Sequence, residues 1–114
     1  MTGTNDLAIA GEVLHGIAHL ALDQVEGVRP LQPAGRMGDI LGGRRGRGIV
    51  IERDDDGVWV ALSVSVDYGV EIPKVAVAAQ RAVREAVASM TGLTVKSVNV
   101  SVESVQVREG EQGG

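Results

Sequence analysis

A strand, a capped helix and a second strand in the stretch 66–102, VDYGVEIPKVAVAAQRAVREAVASMTGLTVKSVNVSV, leave this chain few folds to choose from. Pro73 suits the first helical position, because its φ is fixed and its missing N–H has no partner there anyway. That puts Ile72 at the N-cap, where it offers no side-chain acceptor, so Asp67 and Glu71 are the near candidates for the first free N–H groups. Glu71 also places negative charge at the positive end of the helix dipole. Gly92 can take the left-handed conformation that ends a helix, and Leu93 can fold back onto Val87 or Ala88 in a Schellman-type cap. Between these signals Val75, Ala79, Ala82, Val83, Ala86 and Met90 recur at three and four and make one apolar stripe. In the following strand Val98, Val100 and Val102 alternate with Ser97, Asn99 and Ser101, so one face is buried and the other is not. Val105 and Val107 fall out of that phase, which either a bulge near Glu103-Ser104 or the end of the strand explains.

The preceding residues supply the rest of a small domain. Residues 49–53 and 58–66 read as a hairpin joined by Asp54-Asp55-Asp56-Gly57, with Gly57 free to supply a positive φ. Val58, Val60, Leu62, Val64 and Val66 share one face of its second strand, opposite Trp59, Ala61, Ser63 and Ser65. Residues 8–25 carry a helical pattern, with Val13, Leu14, Ile17, Leu20 and Ala21 on the apolar side. Gly11 and Gly16 each weaken that helix by up to about 1 kcal/mol relative to Ala, so it depends on packing. From Val28 to Gly48 the texture changes: Pro30, Pro33 and repeated glycines break periodicity, and Arg36, Arg44, Arg45 and Arg47 gather positive charge. Only Met37 to Leu41 has the makings of a helical turn there.

These elements predict a single α+β domain over 7–107, with a Gly/Arg-rich loop at 29–48, a disordered N-terminus at 1–6 and a flexible tail at 108–114. The economical packing is two layers: two helices on one face of a three-stranded sheet, in the order helix-strand-strand-helix-strand. A right-handed crossover through the second helix makes the last strand parallel to the second strand. The expected position of that last strand is beside the first strand, antiparallel to it.

Composition removes several functions. With no cysteine there is no disulfide, thiolate nucleophile or Cys-ligated zinc. The formal charge of −4 argues against bulk attraction to nucleic acid or anionic lipid. No apolar run approaches a membrane span and the N-terminus lacks a signal peptide's segments, so a cytoplasmic protein is expected. No Ser/His/Asp or paired-carboxylate arrangement stands out, and Asp54 to Asp56 lacks calcium-loop spacing. Enzyme activity is not expected.

Four groups of residues invite a functional reading. His15, His19 and Asp23 are spaced i, i+4, i+8 and would line one helix face, a weak metal-ligand pattern that any solvated face also produces. No metal or other cofactor is therefore expected. The run Gly42-Gly43-Arg44-Arg45-Gly46-Arg47-Gly48 lacks the Lys-Ser/Thr ending of a P-loop, yet Arg44, Arg45 and Arg47 could grip RNA, a phosphate or an acidic protein. Trp59 points by strand parity onto the polar sheet face, where a tryptophan marks either a partner interface or a patch covered by the chain's own tail or loop. Tyr68, Gly69, Pro73 and Gly92 read as structural residues that shape the ends of the helix.

The same segments resemble the alkaline shock protein family of bacterial envelope-stress proteins. The resemblance rests on Tyr68-Gly69, Ile72-Pro73, Gln80, Met90-Thr91-Gly92-Leu93 and Val98-Asn99-Val100. In the first half Ile9-Ala10, Glu12-Val13, Ile17-Ala18 and Val25-Glu26-Gly27-Val28 agree as well. It implies a non-enzymatic cytoplasmic protein of cell-envelope homeostasis that self-associates and can be held beneath the membrane by a membrane-anchored partner. The family brings no catalytic residues to carry over. The leading expectation is thus a scaffold whose contacts are Trp59, Arg44, Arg45 and Arg47; the alternative is a small RNA- or phosphate-binding module using the arginine loop.

Overall fold

The computed structural model describes residues 8–31 and 48–107. Along them run α1 (Gly11–Asp23), β1 (Val28–Pro30), β2 (Ile49–Asp54), β3 (Gly57–Asp67), α2 (Ile72–Thr91) and β4 (Val95–Gln106). The predicted disorder of 1–6, the tail at 108–114, the helical turn at Met37 to Leu41 and the side chains of Arg44, Arg45 and Arg47 lie outside the described residues.

Among the described residues the sheet has four strands rather than three. β1 was read as the start of the loop, but Val28, Arg29 and Pro30 pair antiparallel with Val66, Ser65 and Val64. β2 pairs antiparallel with the other part of β3, from Ile49 opposite Leu62 to Asp54 opposite Gly57. Between them the Leu31 N–H donates to the Ser63 carbonyl (2.9 Å) and the Ser63 N–H donates to the Gly48 carbonyl (2.8 Å). The ladder therefore passes from β1 to β2 without a gap, and the two act as one edge strand interrupted by residues 32–47. The stems of that insertion touch, since a Cβ on Gly48 would lie 2.8 Å from the Leu31 carbonyl oxygen. Pro30 is tolerated because it sits on an edge, where its missing N–H is not needed.

β4 runs parallel to β3, as the crossover through α2 requires, but it lies beside β3 and not beside β2. β3 is thereby the central strand. This corrects the expected strand order, and the reason is burial: β3 carries five apolar residues on one face and both of its edges need partners. Val58, Val60, Leu62, Val64 and Val66 are all buried. The β4 register shifts between Val64 and Ser65, so Ser65 faces Ser104 after Val64 faces Val102, and Glu103 is the extra residue of the expected bulge. The bulge returns Val105 to the inner face, opposite Val66.

Both helices lie on the valine face. α1 packs over β1 and β2, α2 over β4, and the two helices pack against each other. Most of the predicted apolar residues meet the core, with departures at Val13, Leu20 and Met90. In α1 the buried residues are Leu14, Ile17, Ala18, Ala21 and Leu22, while Val13 and Leu20 are exposed. In α2 they are Ala79, Val83 and Val87; the predicted Val75, Ala82 and Ala86 are partly buried and pack against the core, while Met90 is 69% exposed. The rows 14-18-22 and 79-83-87 are i, i+4, i+8 ridges, which drift around a helix along its length. A stripe counted at alternating threes and fours therefore loses the contact line by the last turn.

The α2 termini also refine the expectation. Glu71, not Ile72, is the N-cap, and no side chain caps the first N–H groups; Pro73 is the second helical residue. At the other end Gly92 is left-handed (φ 78°), and its N–H donates to the Ala88 carbonyl. The Leu93 N–H donates to Thr91 Oγ1 (3.0 Å) rather than closing a Schellman bond. In the β2–β3 hairpin Asp54 Oδ1 accepts from the N–H groups of Asp56 (2.7 Å) and Gly57 (3.2 Å), so the aspartate organises the turn.

Candidate interaction surface

Alternation along the strands places every short polar side chain of the sheet on the face away from the helices. Trp59 sits there on β3, partly exposed, between Glu52 of β2 and Ser97 of β4. Next along β3, Ala61 lies between Val50 and Asn99, and all three are exposed. Ser63 then faces Ser101, and Ser65 lies between Arg29 and Ser104. Arg29 ends this row, donating from Nη1 (3.0 Å) and Nη2 (2.8 Å) to Asp67 Oδ1. That pair holds its own charge, so the middle of the face offers hydroxyls, an amide, the exposed Val50 and one indole, with Glu52 beside the indole. An indole ringed by short side chains is a rigid apolar anchor with hydrogen-bonding groups beside it. Both described helices lie on the opposite side of the sheet.

The other candidates separate. His15 is half-buried with Nε2 turned inward and without a partner among the described residues. His19 Nδ1 lies 3.9 Å from Asp23 Oδ2, with both side chains about half exposed (47% and 54%). Helical spacing aligns the three residues, but the structure sends His15 inward and the other two outward. Among the described residues no group of three or more His, Asp or Glu is placed to hold a metal ion. The segment carrying Arg44, Arg45 and Arg47 begins and ends at the touching stems, on the edge of the sheet formed by the split strand.

Of the helix-end residues, Gly69 (φ 100°) and Gly92 occupy left-handed backbone and Pro73 sits in the first turn of α2. Tyr68 is 75% exposed; its backbone N–H reaches the Gln106 carbonyl (2.8 Å) while its ring stands clear. Sequence reasoning missed two side chains of α2 that bond the backbone of β4. Gln80 Nε2 donates to the Val98 carbonyl and Arg84 Nη1 to the Val95 carbonyl, each at 2.9 Å. Their only signal was position, on the flank of the helix beside its apolar stripe.

Among the described residues no helix is long and apolar enough to cross a membrane. Comparison with solved structures finds the same fold in the MamM CTD. Its residues 215–293 superpose with a TM-score of 0.53 at 19% identity, covering 83% of this chain and 99% of that one. A copper form of a MamM CTD variant gives 0.54 at 18%, covering 85% and 100%. At such identity the likeness carries the fold alone. Sequence relatives are nearer. The uncharacterized protein YqhY of Bacillus subtilis (strain 168) is 30% identical over 111 residues, 92% of this chain and 80% of that protein. The uncharacterized protein Spy1535 of Streptococcus pyogenes serotype M6 is 31% identical over 101 residues, 88% and 78% of the two chains. A family profile described by a cell envelope-related function matches residues 1–107. The chain belongs to that family, the alkaline shock protein 23 or Asp23 family, whose name is unrelated to the aspartate at position 23 here.

Proposed function

We propose that this chain is a non-enzymatic, self-associating scaffold of the bacterial cytoplasm, held at the inner face of the membrane by a protein that docks on the sheet around Trp59. The observation that carries this reading is the open polar face itself, with its one aromatic side chain among the described residues set among Ala61, Ser63, Ser97 and Asn99. The family's envelope-related role supports the location. Trp59→Ala is expected to move the chain from the membrane pellet to the soluble fraction of lysed cells, with its thermal melt little changed. Loss of a central aromatic anchor weakens docking by about 30-fold or more. A folded Trp59→Ala chain that pellets as the wild type does would exclude this face.

A second reading has one feature in its favour. Arg36, Arg44, Arg45 and Arg47 fall within a single insertion whose two stems meet at Leu31 and Gly48. They contrast with a chain of net charge −4. If they grip single-stranded RNA, replacing Arg44, Arg45 and Arg47 by Ala should reduce the slope of log K against log salt by about 2. An affinity for a polyuridine probe that is unchanged by the triple replacement removes the loop from the contact.

A further inference from the structure

β4 has a second edge that none of the described residues pairs. Its twelve residues bond β3 on one side, and among the described residues no strand lies on the other. At its start that free edge is satisfied by the helix above it, through Arg84 on the Val95 carbonyl and Gln80 on the Val98 carbonyl. These two bonds also show which way the backbone faces. Because peptide groups alternate along a strand, Val100 and Val102 present their N–H and C=O on the same side as Val98. No side chain of the described residues meets them there. Val77, one turn before Gln80 on the same flank of α2, is 49% exposed, and Val105 and Val107 farther along β4 are 48% and 58% exposed.

Strand edges left open in this way are normally guarded by lysine, proline or inward-pointing charge. Here the stretch 98–102 reads Val-Asn-Val-Ser-Val, without a charge and nearly the same in both directions. Charge appears only at its two borders, Lys96 before it and Glu103 after it, both exposed and both extra residues where the β3–β4 register shifts.

We propose that this edge pairs with the β4 edge of a second copy, antiparallel and two-fold about Val100, so that one sheet runs through both chains. This inference rests on the self-association in the reading above and names its surface. In that register Val100 meets Val100 of the second copy, Val98 meets Val102, and Asn99 meets Ser101. The inward valines stay inward and the polar face stays outward. The Val98 carbonyl keeps its bond from Gln80, since a carbonyl oxygen has a second lone pair for the new N–H. Lys96 of each copy falls opposite Ser104 of the other, one residue from its Glu103 and within reach of it, and opposite charges at mirrored borders suit a second copy of this chain. The pairing covers Val77 and sets both Trp59 faces on the same side of the joined sheet, which presents two docking surfaces to one membrane.

Sedimentation equilibrium of the full chain tests this. The wild type is expected to dimerise. Lys96→Glu and Glu103→Lys should each raise the dimer dissociation constant about tenfold, because each puts two like-charge pairs at the seam. The double variant carrying both exchanges should restore the wild-type value. Val100→Pro removes an N–H that points away from β3, and should abolish the dimer. Should that variant misfold, the charge exchange decides, as Lys96 and Glu103 are exposed and leave the core alone. A dimer indifferent to all these changes overturns the edge while self-association stands. A chain that remains monomeric at its highest soluble concentration overturns both.

Discussion

Leu62→Ala is expected to lower the unfolding free energy by about 2–5 kcal/mol, the range found when a buried leucine is truncated. Leu62 is 1% exposed at the middle of the central strand, between Ile49 and Val100. Its surroundings make the upper half of the range the better expectation. The chain has no phenylalanine, and most of the core is valine, isoleucine and alanine, with Leu14 and Leu22 its other leucines. Valine is confined to few χ1 rotamers and alanine has none, so neighbours cannot swing in to fill the void. The comparison that isolates burial is Val50→Ala. Val50 faces Ala61, the next residue along β3, but on the open side, and should cost no more than about 0.5 kcal/mol. Urea unfolding of both variants reads the difference directly. Equal midpoints for the two would mean that the valine face is not the core.

The half of the fold built from alternating valines was legible in the sequence. A period of two leaves no freedom in assigning faces, so Trp59 falls on the open side, and the slip after Val102 pointed to a bulge near Glu103-Ser104 or the strand's end, of which the structure shows the bulge. Helix faces were less legible for a physical reason. α1 has apolar residues on more than one flank, and Val13 and Leu20 fit a stripe as well as Ala18 and Leu22 do until a partner surface selects between them. β1 could not be read because three residues between Gly27 and the glycine-rich insertion are too short to show a period. Strand order was equally hidden, since whether β4 lies beside β2 or β3 depends on which edges need pairing. Of the candidate surface, sequence showed its anchor, Trp59. It did not show the free edge of β4, which became visible only through the bonds from Gln80 and Arg84.

Gly57→Ala tests the joint between the hairpin and β4, and is expected to cost about 2–4 kcal/mol through a lost backbone hydrogen bond and the shift that follows. Sequence suggested that this glycine serves the turn. The turn residues themselves are Asp55 and Asp56, held by Asp54, and the demand on Gly57 comes from across the sheet. An added Cβ would lie 2.5 Å from the Thr94 carbonyl oxygen and 3.0 Å from Lys96 Cγ. The lysine is long and exposed and can move aside. The carbonyl cannot, because it accepts the Val58 N–H at 2.8 Å, the bond that starts the β3–β4 ladder. Its φ of 158° adds strain, being one that side chains rarely adopt. Alanine must therefore push the start of β4 outward and open the buried pair Val58 and Val95. Gly69→Ala is the matched comparison: φ there is 100°, but nothing lies within 4 Å of the new methyl. That change carries backbone strain alone, about 1–2 kcal/mol. Hydrogen exchange separates the two variants, since only Gly57→Ala should release the Val58 amide. If Val58 stays protected and the two variants are equally stable, the close approach of Thr94 is not what requires glycine.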